Sequence, residues 1–128
     1  MKAMMAMVAG LVMCAGAALA DPVDGTWKTQ VDDGHYAYIK IGSCGPKICG
    51  TIAKAFDANG PIQSENIGKK LVWDMVPDGK GNYGSGQIWQ PSTGKVYKSK
   101  MSLSGGNTLK VSGCVAMFCK KQTWTRVN

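Results

Sequence analysis

The sequence has very little of the side-chain chemistry on which most enzymes and metal sites depend. Its 128 residues include a single His, a single Glu and a single Arg. A multi-histidine metal site cannot be built from this stock, and the sequence assigns no Ser–His–acid or Cys–His–acid triad. We therefore predict that the protein is not an enzyme and that it uses no metal ion or other cofactor.

Long apolar runs are also scarce, and the one clear example stands at the amino terminus. Lys2 precedes an apolar stretch over residues 3–14, and Ala18-Leu19-Ala20 has the small-residue pattern of a cleavage site. This order is typical of a secretory signal peptide. We expect cleavage after Ala20, export to the periplasm or the medium, and a single mature domain of residues 21–128.

A lipoprotein signal is the alternative at this end of the chain, because residues 11–14 loosely match the segment around a lipidated cysteine, here Cys14. Met13 is bulky at a position where such signals have a small residue, which favours ordinary cleavage. No later apolar run is long enough to cross a bilayer, so we expect a protein that does not span the membrane.

Basic residues outnumber acidic ones, and the excess is a candidate surface for anionic partners. Once the first twenty residues are removed, 14 Lys and Arg stand against 8 Asp and Glu. Lys98, Lys100 and Lys110 are predicted on outward positions of neighbouring strands, with Lys120 and Lys121 close by. Such a patch suits an anionic surface of the cell envelope, and solvated lysines that keep a small β protein soluble are the alternative. Export argues against a nucleic-acid partner.

Four cysteines remain in the mature chain, as two pairs with four residues between the partners. They are Cys44 with Cys49 and Cys114 with Cys119. An even number of cysteines in an exported protein favours disulfides, and the Gly45-Pro46 turn favours local pairing. The other two ways of pairing, and a zinc site made by all four thiolates, are the alternatives.

The mature chain has the pattern of a β protein throughout. Short segments with alternating polarity are separated by Asp-Gly, Gly-Pro and Gly-Gly turns. The predicted strands are Thr26–Gln30, Tyr36–Ile41, Ile48–Lys54, Lys70–Val76, Asn82–Trp89, Lys95–Leu103, Thr108–Ser112 and Phe118–Val127. They predict an all-β fold, a small antiparallel up-and-down β-barrel of about eight strands, with a β-sandwich as the alternative.

One connection, residues 55–69, is too long for a tight turn. It predicts a long loop or a short helix that covers one end of the barrel. Asp57 and Glu65 lie in it, and a solvated loop with an Asx-turn at Asp57 is preferred to an acid–base pair or a calcium cluster. His35 is predicted to be solvated, and the Gly-rich stretch 79–84 to be a hairpin loop rather than a nucleotide-binding turn.

Two motifs near the ends of the chain carry a resemblance to a known fold. Gly25-x-Trp27 resembles the G-x-W signature on the first strand of lipocalins and their calycin relatives. In those families a basic side chain near the carboxyl terminus lies across this Trp, and Trp124-x-Arg126 stands in the matching place. The resemblance implies that Gly25, Trp27, Trp124 and Arg126 close the base of a barrel, with the guanidinium stacked on the indole.

The resemblance extends over nearly all of the mature chain. The matching motifs, in order, are Asp21-Pro22-x-x-Gly25-x-Trp27-x-Thr29, Cys44-Gly45-x-x-Ile48-Cys49-Gly50, Gly86-x-Ile88, Pro91-x-x-Gly94-Lys95-x-Tyr97, Leu109-x-Val111-x-Gly113-Cys114 and Phe118-Cys119-x-x-Gln122-x-Trp124-x-Arg126. Together they resemble a bacterial domain-of-unknown-function family of small exported lipocalin-like proteins. The resemblance implies a barrel and an envelope location, and it carries no established activity.

Two functional hypotheses follow. An eight-stranded barrel can hold one small ligand, and we first expect a small apolar or amphipathic molecule, bound in the periplasm. The mid-strand side chains Trp73, Met75, Tyr97 and Met101, which have apolar neighbours on their own faces, are the candidate binding residues. The alternative is an envelope interaction module, a filled barrel that acts through its basic surface or through a protein partner.

Overall fold

A computed structural model describes residues 20–128 of the chain. The predicted signal peptide lies outside the described residues except for Ala20, and so does the alternative lipidation site Cys14. Ala20 itself is exposed and belongs to no strand.

Every regular element of the described chain is a β-strand. The nine strands are β1 (Gly25–Lys28), β2 (Tyr36–Cys44), β3 (Lys47–Asp57), β4 (Gly60–Ile62), β5 (Lys70–Pro77), β6 (Asn82–Gln90), β7 (Lys95–Ser104), β8 (Thr108–Val115) and β9 (Phe118–Arg126). Over residues 20–128 there is accordingly no helix of the length and apolarity needed to cross a bilayer.

Eight of these strands form a closed antiparallel barrel. The order round the ring is β1, β2, β3, β5, β6, β7, β8 and β9, and β9 pairs with β1 to complete it. Each strand of the ring therefore pairs with its neighbours along the chain, once β4 is set aside. The arrangement confirms the predicted up-and-down barrel and excludes the sandwich.

β4 lies outside the ring and pairs only with the end of β3. Asp57 faces Gly60 across a two-residue turn, and the Asp57 carboxylate accepts a 2.8 Å hydrogen bond from the main-chain N–H of Asn59. This is the predicted Asx-turn. Residues 55–69 form a hairpin extension of β3 followed by turns, in place of the loop or short helix expected there, because the Asx-turn lets the chain fold straight back.

Inward side chains fill the barrel. In β7, Ser99 and Met101 are buried while Lys98 and Lys100 are exposed, as the alternation predicts. The largest fully buried side chains are Trp27, Trp124, Ile39, Met75, Leu109, Val23, Val72 and Val111. A Cβ added to Gly50 would lie only 2.8 Å from Ile39 Cγ2. The described interior is thus a packed core rather than an open channel.

Paired irregularities in β5 and β6 change which side chains face inward. Asp74 and Ser85 both have a φ of 59°, the left-handed region that interrupts regular alternation. Val72 and Met75 are both fully buried although they are three residues apart. The pairing of β5 with β6 has the same register before and after Asp74 and Ser85. This is because the alternation of inward and outward side chains shifts at the same height in both strands. As a result, Trp73 and Met75 do not share a face.

Candidate functional site

One end of the barrel is sealed by Arg126. Its guanidinium carbon lies 4.4 Å from the centre of the Trp27 ring. Its nitrogens donate hydrogen bonds to the main-chain carbonyls of Gly106 at 2.6 Å, Asp24 at 2.9 Å and Pro22 at 2.6 Å. A planar cation can stack on the indole and still direct its donors outward to these carbonyls. We call this the closed end.

Gly25 and Trp124 stand at the same end. A Cβ on Gly25 would lie 2.6 Å from Nη1 of Arg126, and its φ of 142° is unfavourable for any other residue. Trp124 is fully buried, pairs with Leu109, and donates its indole N–H to the Gln122 side chain at 2.7 Å. The structure thus brings together all four residues that the lipocalin resemblance assigns to the base of the barrel.

The segment before β1 completes the closed end. Val23 is fully buried, and its carbonyl accepts the Trp27 indole N–H at 2.9 Å. The Asp21 carboxylate accepts hydrogen bonds from the Val23 N–H and from the Tyr83 hydroxyl. Burial, followed by this contact with Asp21, raises the pKa of Tyr83 well above its ordinary value. The phenol, which is protonated at physiological pH even at its ordinary pKa, is the donor in this hydrogen bond.

The opposite end of the barrel, which we call the open end, is formed by the connections 29–35, 58–69, 91–94 and 116–117. In an up-and-down barrel alternate connections share one end. Six of the eight exposed large apolar side chains of the described residues lie on or beside these connections. They are Val31, Ile67, Val96, Val115, Met117 and Phe118. Exposed apolar side chains that share one end of a barrel make that end a candidate binding surface.

The β8–β9 hairpin contributes the most exposed of these side chains. Val115 pairs with Phe118, two steps beyond the Gly113–Lys120 pair. By alternation Val115 lies on the same sheet face as the fully buried Leu109. The side chains of Val115 and Phe118 nevertheless remain 60% and 81% exposed, because they extend beyond the level that the core fills.

Below this rim, Tyr97 narrows the mouth of the barrel. It is half-buried against the core, and its hydroxyl donates a 3.2 Å hydrogen bond to the Gln90 side chain. Gly113 lies beside it, where an added Cβ would be 3.3 Å from Ile88 Cγ2 and 3.8 Å from Tyr97 Cβ. The floor of the mouth therefore consists of Tyr97, Ile88 and the bare backbone of Gly113.

The four side chains predicted to bind a ligand do not gather at one site. Met75 and Met101 are buried in the packed core, at 0% and 3% exposure. Tyr97 lies at the open mouth, while Trp73 lines a shallow depression on the outer wall beside Asp74. The irregularity at Asp74 separates Trp73 from Met75, and the filled core separates both methionines from the mouth.

A second feature is a groove of about 590 Å³ on the outer wall. We call it the basic groove, and its lysines are Lys100, Lys110 and Lys121. Lys100 and Lys121 flank Ser112 in register across β7, β8 and β9. Residues 79–128 contain seven Lys and one Arg but no Asp or Glu. The strands that carry the three lysines, β7, β8 and β9, therefore contain no carboxylate that could neutralise their charge in the groove.

Asp78 is the acidic residue that lines the basic groove. Its carboxylate accepts hydrogen bonds from the main-chain N–H groups of Lys80 at 2.7 Å and Asn82 at 3.1 Å. The Lys80 bond first, and then the Asn82 side chain, hold the pKa of Asp78 below its ordinary value. These contacts fix the turn before β6, so the Gly-rich stretch 79–84 is a hairpin loop, as predicted.

Both cysteine pairs are bonded locally, as Cys44–Cys49 and Cys114–Cys119. The zinc alternative is therefore not formed. Among residues 20–128, no group of three or more His, Cys, Asp or Glu is placed to hold a metal ion. Cys114 and Cys119 lie directly opposite one another at the base of the β8–β9 turn, so the disulfide fixes the exposed apolar end of this hairpin.

The remaining candidates from the sequence are solvated. His35 and Glu65 are exposed, and the His35 ring nitrogen Nδ1 lies 2.9 Å from the carbonyl oxygen of Asp33. The exposed end of the β8–β9 hairpin is what the sequence reasoning missed. Its signal was the apolar run Val-Ala-Met-Phe between two cysteines, at a place where a polar turn is expected.

These features define a lipocalin-like barrel, closed at one end by a cation stacked on an indole. A solved structure described as "Protein HP1028 from the human pathogen Helicobacter pylori belongs to the lipocalin family" is similar, with a TM-score of 0.68 over 83% of each chain. The two sequences are 15% identical, so the similarity concerns the fold alone. No curated protein sequence matches the chain.

The chain belongs to a bacterial protein family. The family profile described as "Uncharacterized protein conserved in bacteria (DUF2147)" matches residues 25–126, which are the first residue of β1 and the last residue of β9. The match confirms the resemblance to a bacterial domain-of-unknown-function family, and it covers the whole barrel.

Proposed function

We propose that this protein is an exported binding protein, not an enzyme, that holds one small amphipathic molecule at the open end of the barrel. The observation that carries the proposal is the pair of exposed apolar side chains, Val115 and Phe118, on the inner face of the barrel at that end. Lipocalin-like folds are compatible with such binding. Export follows from the signal peptide predicted over residues 1–20.

The packed interior limits how deep the ligand lies. Trp27, Trp124 and Met75 fill the lower barrel and are fully buried, so the proposal places the apolar chain above Tyr97 and Gly113, at the open mouth. Lys120 pairs with Gly113 across β8 and β9, and its side chain is exposed. A ligand with an apolar body and an anionic head group fits this combination of an apolar rim and a cation.

The experiment is a titration of the purified protein with a long-chain fatty acid, followed by native mass spectrometry. We expect one molecule bound per chain and a rise in melting temperature. Gly113→Val places a side chain on the floor of the mouth and is expected to weaken binding at least tenfold. Gly42→Val is the matched control, because Gly42 is also a strand glycine and has open space around its Cβ position.

Two results would count against the proposal. One is a wild-type protein that takes up neither a fatty acid nor another alkyl-chain amphiphile. The other is a folded Gly113→Val variant that binds as tightly as the wild type. An adduct that survives from the periplasm into native spectra and disappears on denaturation would support the proposal and supply the natural ligand for identification.

The basic groove favours a second candidate function, recognition of an anionic polymer of the cell envelope. Lys100, Lys110 and Lys121 line it on strands without acidic residues. A complex of this kind weakens as salt screens the charges. Replacing the three lysines by Gln is expected to abolish retention on an anionic polysaccharide resin at low salt and to leave fatty-acid binding unchanged. Retention of this triple variant at wild-type salt strength would refute this candidate.

A further inference from the structure

We infer that the tip of the β8–β9 hairpin docks the open end of the barrel onto an anionic lipid bilayer. The apolar tip consists of Val115, Ala116, Met117 and Phe118. Met117 is 89% exposed and Phe118 81% exposed. Neither side chain contributes to the core at these exposures, so the core does not account for apolar residues at the two positions.

The turn chemistry supports this inference. Ala116 and Met117 connect β8 to β9, and Ala116 has a φ of 54°. Two-residue hairpin turns with positive φ strongly prefer Asn or Gly, which are polar or lack a side chain. Here the turn has an Ala in the left-handed region and a long apolar Met at the apex, so the turn itself does not explain the apolar residues.

The hairpin is rigid enough to present these side chains together. The Cys114–Cys119 disulfide joins the two strands directly beneath the tip, and the Val115–Phe118 pair continues the ladder above it. A pre-formed hairpin loses little conformational freedom when it inserts. Its apolar side chains can then reach the boundary between headgroups and acyl chains, where peripheral proteins bury their apolar faces.

The positive charge beside the apolar tip favours an anionic bilayer. Lys120 and Lys121 immediately follow the disulfide, and Lys98 pairs with Cys114 on the neighbouring strand. No Asp or Glu occurs after Asp78, so β7, β8 and β9 contain no carboxylate to oppose these lysines. Lysines near a membrane surface are attracted by anionic headgroups, while the apolar tip lies deeper.

A protein partner fits less well. Stable protein interfaces bury about 800 Å² on each side, and the tip projects as a narrow two-stranded hairpin with few side chains. A bilayer accepts such a projection without a complementary pocket. The inference is independent of ligand binding in solution, although a membrane-docked open end would bring the mouth of the barrel to the lipid.

The test is flotation of the purified protein with vesicles of phosphatidylcholine alone or of phosphatidylcholine mixed with phosphatidylglycerol. We expect flotation with the anionic vesicles only, reduced at high salt. Met117→Asp combined with Phe118→Asp is expected to lower vesicle affinity at least tenfold. Both positions are highly exposed, so the melting temperature is expected to remain at the wild-type value. Met117→Asp alone leaves Val115 and Phe118 in place, and it is expected to weaken vesicle binding while the ligand titration described above stays at the wild-type value.

A matched control separates apolar insertion from added negative charge. Val76 and Val127 are exposed at the closed end, at 44% and 42%, and replacing both by Asp adds the same charge away from the tip. This control is expected to float nearly as well as the wild type. Replacing Lys98, Lys120 and Lys121 by Gln is expected to weaken binding to anionic vesicles, which would assign the charge component to the base of the tip.

Three outcomes would overturn the inference. They are no flotation of the wild type with anionic vesicles, equal flotation of the Met117→Asp/Phe118→Asp variant, and a wild-type dimer in light scattering that this variant abolishes. The last result would make the tip an interface between two copies of the chain. Since vesicle binding and fatty-acid titration are separate measurements, failure of one proposal would not be mistaken for failure of the other.

Discussion

Among the side chains described at the closed end, Arg126 makes the largest share of the contacts that close the barrel. It covers Trp27 and donates hydrogen bonds to carbonyls from the amino-terminal segment and from the loop before β8. We predict that Trp27→Ala lowers the free energy of unfolding by about 3–5 kcal/mol. Arg126→Lys, which keeps the charge but loses the planar fork, is expected to cost about 1–2 kcal/mol. Urea denaturation measures both.

Lys121→Ala is the control for these two variants. Lys121 is exposed on the outer wall, and a surface change of this kind is expected to stay within about 0.5 kcal/mol of the wild type. If Trp27→Ala and Arg126→Lys also unfold at the wild-type urea concentration, the closed end does not depend on the stacked pair.

At the residue scale, sequence reasoning succeeds where one residue type has one plausible role. Arg126 is the only Arg in the chain, and Trp124-x-Arg126 sits at a recognisable distance from the end. The hydrogen bond from the Tyr83 hydroxyl to Asp21 was not predicted. It joins residues 62 positions apart in the sequence, and only the closed barrel brings them together.

Among the strands, β5 and β6 are where prediction from alternation stopped working. Strict alternation puts Trp73 and Met75 on one face, but the left-handed residues Asp74 and Ser85 shift both strands together. Both strands shift their alternation together, so their pairing is unchanged. The shift is therefore visible neither in the strand lengths nor in the β5–β6 register. In β7, where no such residue occurs, the predicted alternation holds.

This same pair of strands allows a sharp test of packing. A Cβ on Gly86 would lie 2.8 Å from Met75 Cε and 2.9 Å from the Trp73 carbonyl oxygen, whereas nothing lies within 4 Å of a Cβ on Gly84. Gly86→Ala is expected to destabilise the barrel by about 1–3 kcal/mol through overpacking. Gly84→Ala is expected to be neutral or to stabilise it by up to about 1 kcal/mol, because it restricts the unfolded chain.

Thermal and urea unfolding of the two alanine variants, measured side by side, distinguish these expectations. The two glycines are two positions apart on one strand, so propensity effects nearly cancel between them. Equal stability of the two variants would mean that the barrel interior beside Met75 can yield, and that the packed-core description of this level is mistaken.

For the whole molecule, the strand count and the tight turns were enough to predict a closed barrel. They were not enough to predict how unlike its two ends are. The apolar side chains of the open end come from positions between Val31 and Phe118 in the sequence, and each looks like an isolated exposed residue until the strands assemble. The end-to-end difference is a property of the topology, which no local pattern contains.

The structure also bears on where the mature protein begins. Ala20 is exposed, while the next residue, Asp21, already accepts hydrogen bonds from Val23 and Tyr83. The first residue after the predicted cleavage site therefore already takes part in the hydrogen bonds of the fold. Cleavage after Ala20 would leave Asp21, and with it both of these hydrogen bonds, in the mature chain.

We accordingly predict the intact mass of the exported protein under denaturing conditions. It is expected to equal that of residues 21–128 less four hydrogens, because both disulfides, Cys44–Cys49 and Cys114–Cys119, are closed. Reduction is expected to restore the four hydrogens. A mass that includes a lipid on Cys14 would contradict the predicted cleavage after Ala20 and indicate a membrane-anchored protein. A mass without the four-hydrogen deficit would mean that at least one of the two disulfides is open.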